Sequence, residues 1–262
     1  AGFKKIQCTS FVSPKAIPQM QDAAIVATTA LEKYPDVDLF ALVPNYHGAK
    51  AAVATGLKEI SPVMSLSVSH NRANVNRTLE ESVAEIARIR QDFPDVKITQ
   101  DIATVFGCPF EGKMEIPPLI ELLGKLHDLG IRAFTLCDTI GVAYPKQVAD
   151  VLKASKEAFS DSEFNLHIHD TRNMGILNSY IGIQSGADSI QAAVGGLGGC
   201  PFAPGASGNT SSEDLIYMLN QNGYETGVDF DVLLGVAKKL KANVDGNYSG
   251  HQINIAVEQC CI

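Results

Sequence analysis

Two histidines one residue apart, His167 and His169 in HIHD (167–170), close an apolar run of strand character. Alternate side chains of a strand share a face, so both imidazoles project together and can offer two neutral nitrogens to one divalent ion. The same spacing also suits a hydrogen-bonded or surface pair on a strand, and the pattern alone leaves both readings open. A second feature is VGGLGGCPFAPGASGN (194–209), whose glycines and prolines make it a loop. Glycine permits positive φ and close backbone approach, so Cys200 can ride over a site on a lid, or it can be an incidental thiol in a flexible loop. Asn209 ends that loop just ahead of SSEDLIYML. It is either a helix cap or an amide oxygen ligand beside the histidines. Gln7 with Ser10, GCPFEG (107–112) and CDTIG (137–141) are further polar clusters after apolar runs. Asp138 is the functional candidate among them, with an Asx-turn as its structural alternative.

The elements that must position these residues are legible as an alternation. Short β-branched or apolar runs at 3–10, 37–44, 59–67, 97–105, 131–139, 164–170 and 189–197 are each followed by a longer segment of helical period, which argues for parallel βαβ units. In the segment 78–93, Leu79, Val83, Ile86 and Ile89 form one stripe, with Glu80, Glu81, Glu85 and Arg88 outside it. LGIR (129–132) and SGADSI (185–190) each place a glycine between a helix and the next strand, the chemistry of a C-cap. The expected fold is an α/β TIM (β/α)8 barrel over 1–262, one catalytic domain with added helices at 229–262. Seven units are one short of the eight that close such a barrel. Because the chain opens on AGF and runs straight into a strand, the unit expected to be absent is the first. An open doubly wound sheet can also hold seven parallel strands. Polar and titratable residues gathered after several strand ends favour the barrel, whose active sites lie there.

The formal net charge of −8 provides no positive field to attract nucleic acid or an anionic membrane, so neither is an expected partner. No apolar run approaches the ~20 residues of a membrane span, and the first residues carry no signal-peptide pattern. Six cysteines, scattered except for Cys260 and Cys261, read as reduced thiols in a cytoplasmic setting.

TSFVSPKAIPQM (9–20), GCPFEGK (107–113), DTIGV (138–142), HIHDT (167–171) and GLGGCPFAPGASGN (196–209) closely resemble, in order, the motif series of HMG-CoA lyases, enzymes of leucine degradation. The resemblance spans almost the whole chain and excludes the open sheet in practice. It implies a magnesium or manganese ion held by His167, His169 and Asn209 with a first-strand aspartate that has no counterpart here. An arginine beside that aspartate is likewise missing. The resemblance makes Cys200 the lid thiol acting as general acid and places Asp138, Ser10, Thr135 and Thr139 near the acyl portion of an acyl-CoA substrate. A homodimer is compatible with it. The implied reaction removes the hydroxyl proton of a β-hydroxy acyl thioester, breaks the C–C bond and releases acetyl-CoA with acetoacetate.

Three departures bear on substrate. Gln7 stands where the family has glutamate, Asp101 stands where a tyrosine is expected, and Arg72 and Arg77 are candidates for CoA phosphates or simply solvated arginines. These keep open a related substrate such as citramalyl-CoA. Two further readings remain: a Claisen-condensing enzyme of the isopropylmalate or homocitrate synthase kind, against which the GLGGCP loop speaks, and an inactive fragment.

Overall fold

The structure, a computed structural model, describes residues 1–199 and 208–255. Seven strands form one parallel sheet: β1 (Lys5–Ser10), β2 (Asp38–Val43), β3 (Glu59–Ser65), β4 (Lys97–Ala103), β5 (Ala133–Asp138), β6 (Glu163–Ile168) and β7 (Ser189–Gln191). Each pairs only with its neighbours in sequence, giving the order β1-β2-β3-β4-β5-β6-β7, and the sheet curls into a half-barrel. A doubly wound sheet reverses its order at a switch point. The unbroken order here contains no reversal, so the barrel expectation holds and the open-sheet alternative falls. β1 and β7 are the two edges.

All seven expected strands are present, with bounds that differ by a residue or two at either end and most at the carboxyl end of β7. The run expected at 189–197 ends at Gln191: Ala193 pairs instead with Ser211, and beyond it Gly195 and Gly196 take φ of 70° and 68°. Left-handed backbone cannot continue a ladder, and glycine adopts it without a Cβ penalty. The two helix-ending glycines do the same, Gly130 at φ 82° and Gly186 at φ 88°.

The helices are α1 (Ala23–Lys33), α2 (Tyr46–Ala54), α3 (Val68–Val75), α4 (Leu79–Asp92), α5 (Ile116–Asp128), α6 (Pro145–Ala158), α7 (Gly175–Gln184), α8 (Ser212–Gln221) and α9 (Phe230–Asn243). α4 begins with a capping box: Thr78 Oγ1 accepts from Glu81 N at 3.1 Å and the Glu81 carboxylate accepts from Thr78 N at 2.8 Å. Its buried side is the stripe read from the sequence, with Ile86 and Ile89 in the core and Leu79 and Val83 packed against it.

The two faces of the sheet differ sharply in chemistry. Facing the helices are Ile60, Met64, Ile98, Ile102, Phe134, Leu136, Phe164, Leu166 and Ile168, all buried. This is the apolar layer whose removal from water holds the fold together, worth about 1.5–3 kcal/mol per fully buried side chain. The alternate positions carry Ser61, Ser65, Thr99, Asp101, Thr135, Asn165 and His167. Parallel register aligns these polar residues across strands: Asp101 opposite Thr135, Cys137 opposite His167, and His167 opposite Gln191. Burying such groups costs free energy unless each finds a partner. The concave face is therefore built for a site at the expense of stability.

Candidate active site

β6 delivers both histidines. His167 is in the strand and His169 follows it, and their Nε2 atoms lie 3.2 Å apart on the concave side. His167 Nδ1 is 2.9 Å from Gln191 Oε1, an atom that can only accept, so Nδ1 donates there. His169 is buried and its pKa is lowered to about 4, first by burial and then by the charge of His167. It is therefore neutral at physiological pH and able to act as a ligand.

Asn209 is brought to this pair by backbone pairing. Asp170 N donates to Gly208 O at 2.9 Å and Thr210 N donates to Ile168 O at 3.0 Å, so His169 and Asn209 face each other across an antiparallel bridge. Residues opposed in this way project to the same face with Cβ atoms about 5 Å apart. The Asn209 amide is oriented by its own donor, Nδ2 to Leu197 O at 2.7 Å, while its Oδ1 is buried without a partner. Asn209 is thus not the cap of α8. That role falls to Ser211, whose hydroxyl accepts from Asp214 N at 3.2 Å.

An unpartnered buried amide oxygen held opposite a pair of imidazoles is a donor set suited to a divalent cation, since an orphaned acceptor costs about 1–3 kcal/mol when nothing satisfies it. Three donors are fewer than the roughly six oxygen or nitrogen ligands of an octahedral ion. Among the described residues no cluster of three or more His, Cys, Asp or Glu side chains is arranged to hold a metal ion. The remaining ligands must come from substrate oxygens or from groups beyond this set. The residues fit a metal while leaving its coordination sphere open.

The other expected site residues are placed as follows. Asp138, at the end of β5, is fully buried, and its two carboxylate oxygens accept from Val142 N (2.9 Å) and Ala143 N (3.0 Å). Its carboxyl therefore fixes the turn into α6, and burial raises its pKa to about 6. Thr135 is fully buried and accepts from Gln191 Nε2 at 3.3 Å. Thr139 Oγ1 accepts from Thr104 N at 2.7 Å, holding Thr104 at a left-handed φ of 61°. Gln7 is exposed on β1 and Ser10 is half-buried at its end. Arg72 stays exposed, 3.8 Å from Glu81, whereas Arg77 is committed to Glu85 at 3.0 Å and Pro44 O at 3.3 Å. The structure thus gathers His167, His169 and Asn209 and leaves Gln7 and Arg72 facing solvent. Cys200 lies outside the described residues. Cys8, Cys108 and Cys137 are free thiols. Sequence reasoning missed Gln191, although its alternation with Ser189 on β7 puts it on the concave face.

A parallel half-barrel with its titratable groups at the carboxyl ends of the strands defines a barrel-type α/β enzyme. The HMGL-like family model matches residues 1–240, and the chain belongs to that family. It is 40% identical over 242 residues to the hydroxymethylglutaryl-CoA lyase YngG of Bacillus subtilis, covering 92% of this chain and 81% of the relative. It is 37% identical over 255 residues to (R)-citramalyl-CoA lyase of Chloroflexus aurantiacus, covering 93% and 80%. Among solved structures, an HMG-CoA lyase from Acinetobacter baumannii in complex with coenzyme A and 3-methylmalate superposes with a TM-score of 0.89 at 37% identity, covering 97% of this chain and 86% of that one. Among the described residues no helix is long and apolar enough to cross a membrane.

Proposed function

We propose that this chain is an acyl-CoA lyase acting on 3-hydroxy-3-methylglutaryl-CoA or a close analogue, releasing acetyl-CoA and a keto acid. The observation that carries the reading is the pairing of two imidazoles with an unpartnered amide oxygen held opposite them at the carboxyl ends of the strands, in a chain of the HMGL-like family. His167, His169 and Asn209 would hold a magnesium or manganese ion. When bound, that ion supplies Lewis acidity and a template for the oxygens of the substrate.

The chain's own residues do the rest. Gln191 fixes the ring of His167, and the bridge from Asn209 to His169 fixes the amide. The apolar layer behind β6 keeps the strand from shifting as charge develops. Cleavage leaves an enolate whose carbon must be protonated. Cys200, on the loop that ends at Asn209, is the proposed donor, since a thiol of ordinary pKa, about 8.5, is still protonated at neutral pH. The edges β1 and β7 flank the seam at which an eighth strand would complete the ring, and a carboxylate on such a strand would add an anionic ligand.

Citramalyl-CoA is the second substrate reading. It is favoured by the Chloroflexus relative and by a neutral, exposed Gln7 together with a buried Asp101 on the concave face. The test is an acetyl-CoA release assay with both thioesters and with manganese or magnesium, on residues 1–262 and on a chain that also carries an upstream strand. Cleavage of one thioester, abolished by chelation and by His169→Ala, is expected. Turnover that survives both treatments would overturn the metal-assisted reading, and inertness of the longer chain toward both thioesters would overturn the lyase.

A further inference from the structure

The turn that follows β7, Val194–Gly196, is held from two sides. On one side is the start of α8, where the fully buried Glu213 carboxylate accepts from Gly195 N at 2.9 Å. On the other is the segment 246–255, which leaves α9 and comes back against the turn. Gly250 N donates to Gly195 O at 3.2 Å, and Ser249 Oγ donates to Gly196 O at 3.3 Å. Tyr248 lies so close that a Cβ on Gly195 would overlap its ring. Gly196 is enclosed likewise, with Ser249 Oγ against one side and Asn209 O against another.

Asp214 pins this segment in place. Its side chain is 11% exposed, and each carboxylate oxygen accepts a backbone N–H, from His251 at 2.7 Å and from Gln252 at 2.8 Å. Hydrogen bonds to an ionised acceptor are roughly twice as strong as neutral ones. Beside them Gly250 is buried in a notch where a Cβ would overlap both Glu213 Oε1 and Ser211 Oγ, so only a residue without a side chain lets the strand of backbone lie this close. The next link leads to the site. Leu197 O, one residue beyond the turn, accepts from Asn209 Nδ2 at 2.7 Å, the bond that orients the Asn209 amide.

We propose that the segment 246–255 is a strap, with Asp214 as its positioning residue, that clamps the turn after β7 and through Leu197 sets the direction of the Asn209 amide oxygen. The strap makes no contact with the histidine pair; it acts by denying the turn any room to shift. On the metal-site reading above, on which the second half of the test rests, that amide oxygen is a ligand. Partners that orient a metal ligand from behind are worth about 10–100-fold in metal affinity.

The experiment compares the wild type with Asp214→Asn and Gly250→Ala. Asp214→Asn keeps the size of the side chain but turns one acceptor into a donor facing a backbone N–H, and Gly250→Ala levers the strap off its notch. Hydrogen–deuterium exchange without metal is followed by mass spectrometry in peptides covering 192–199 and 246–255, with α6 as the internal reference. Both variants should exchange about tenfold or more faster in the two peptides, the worth of a hydrogen bond to a charged group, and at the wild-type rate in α6. Manganese affinity, measured separately, should fall about 10–100-fold in both. In an Asn209→Ala background neither variant should weaken it further, since residues acting as one unit are not additive. Should Gly250→Ala fail to fold by circular dichroism, Asp214→Asn carries the test. Unchanged exchange at 192–199, an equal rise in α6, or losses of affinity that add to that of Asn209→Ala would each overturn the proposal. A wild type that binds no manganese, in a protein whose turn loosens in both variants, would instead overturn the metal reading and leave the strap standing.

Discussion

Gly198→Ala is the substitution that most directly probes how the loop after β7 serves the site. Gly198 has φ of 109°, and a Cβ there would overlap Asn209 Nδ2. The backbone term alone is on the order of 1–3 kcal/mol for a side chain forced into a glycine-only region. The overlap cannot be relieved by a small rotation, because the same amide nitrogen is pinned at 2.7 Å to Leu197 O. Either the loop backs away or the amide swings, and both outcomes turn Oδ1 from its place across the bridge from His169. For a chain of this size each kcal/mol lowers the melting midpoint by about 2–4 °C, so a fall of roughly 2–12 °C is expected. Mispointing one ligand should weaken manganese binding by about 10–100-fold, or about 1.4–2.7 kcal/mol. The internal control is Gly199→Ala, where an added Cβ meets nothing within 4 Å. Its effect should stay within about 0.5 kcal/mol in both assays. Differential scanning fluorimetry gives the midpoint and electron paramagnetic resonance of free manganese gives the affinity. If Gly198→Ala melts lower yet binds manganese as tightly as the wild type, Asn209 is not a ligand held by this loop.

Three further outcomes are expected. The carboxyl of Asp138 has its pKa raised from 3.8 to about 6, so the folded state holds that proton more tightly than the unfolded chain. The associated stability is fully present below pH 3.8 and is lost as pH rises through about 6, a change of roughly 3 kcal/mol. Urea titrations across that window should show this slope in the wild type and lose it in Asp138→Asn; an identical slope in both removes Asp138 as its source. Gly182 on α7 lies so close to β6 that a Cβ would overlap Leu166 Cδ1, and Leu166 is fully buried with no room to turn. Gly182→Ala should therefore cost about 1–3 kcal/mol in chemical denaturation, and a neutral result would mean that α7 can move off the strand that carries both histidines. Finally, a chain extended by a parallel strand between the β1 and β7 edges should melt higher and aggregate less than residues 1–262, because unpaired edges invite association; equal melting and aggregation would argue that the seam is already stable.

Periodicity and local chemistry made much of this protein legible in its sequence. The alternation of β-branched runs with helical segments located all seven strands, and the apolar stripe within 78–93 located α4, because both depend on neighbours within a few positions. The two-residue spacing of His167 and His169 put their side chains on one face for the same reason. The ends of the strands were less legible: whether 192–197 continued β7 depended on the pairing of Ala193 with Ser211 and on the left-handed glycines at 195 and 196. Only the folded chain could decide the role of Asn209, which reads as a helix cap until the bridge to His169 turns it toward the site and Ser211 takes over the cap. The same holds for Asp138, where a strand-end carboxylate proved to accept two turn amides, and for Gln191, which means nothing in sequence until register sets it opposite His167. Hydrogen bonds act over about 3 Å and carry direction, so their partners are set by which strands the fold lays side by side. A sequence states periods and propensities, but the pairing of Thr135, Gln191 and His167 across two strand intervals exists only in the curled sheet.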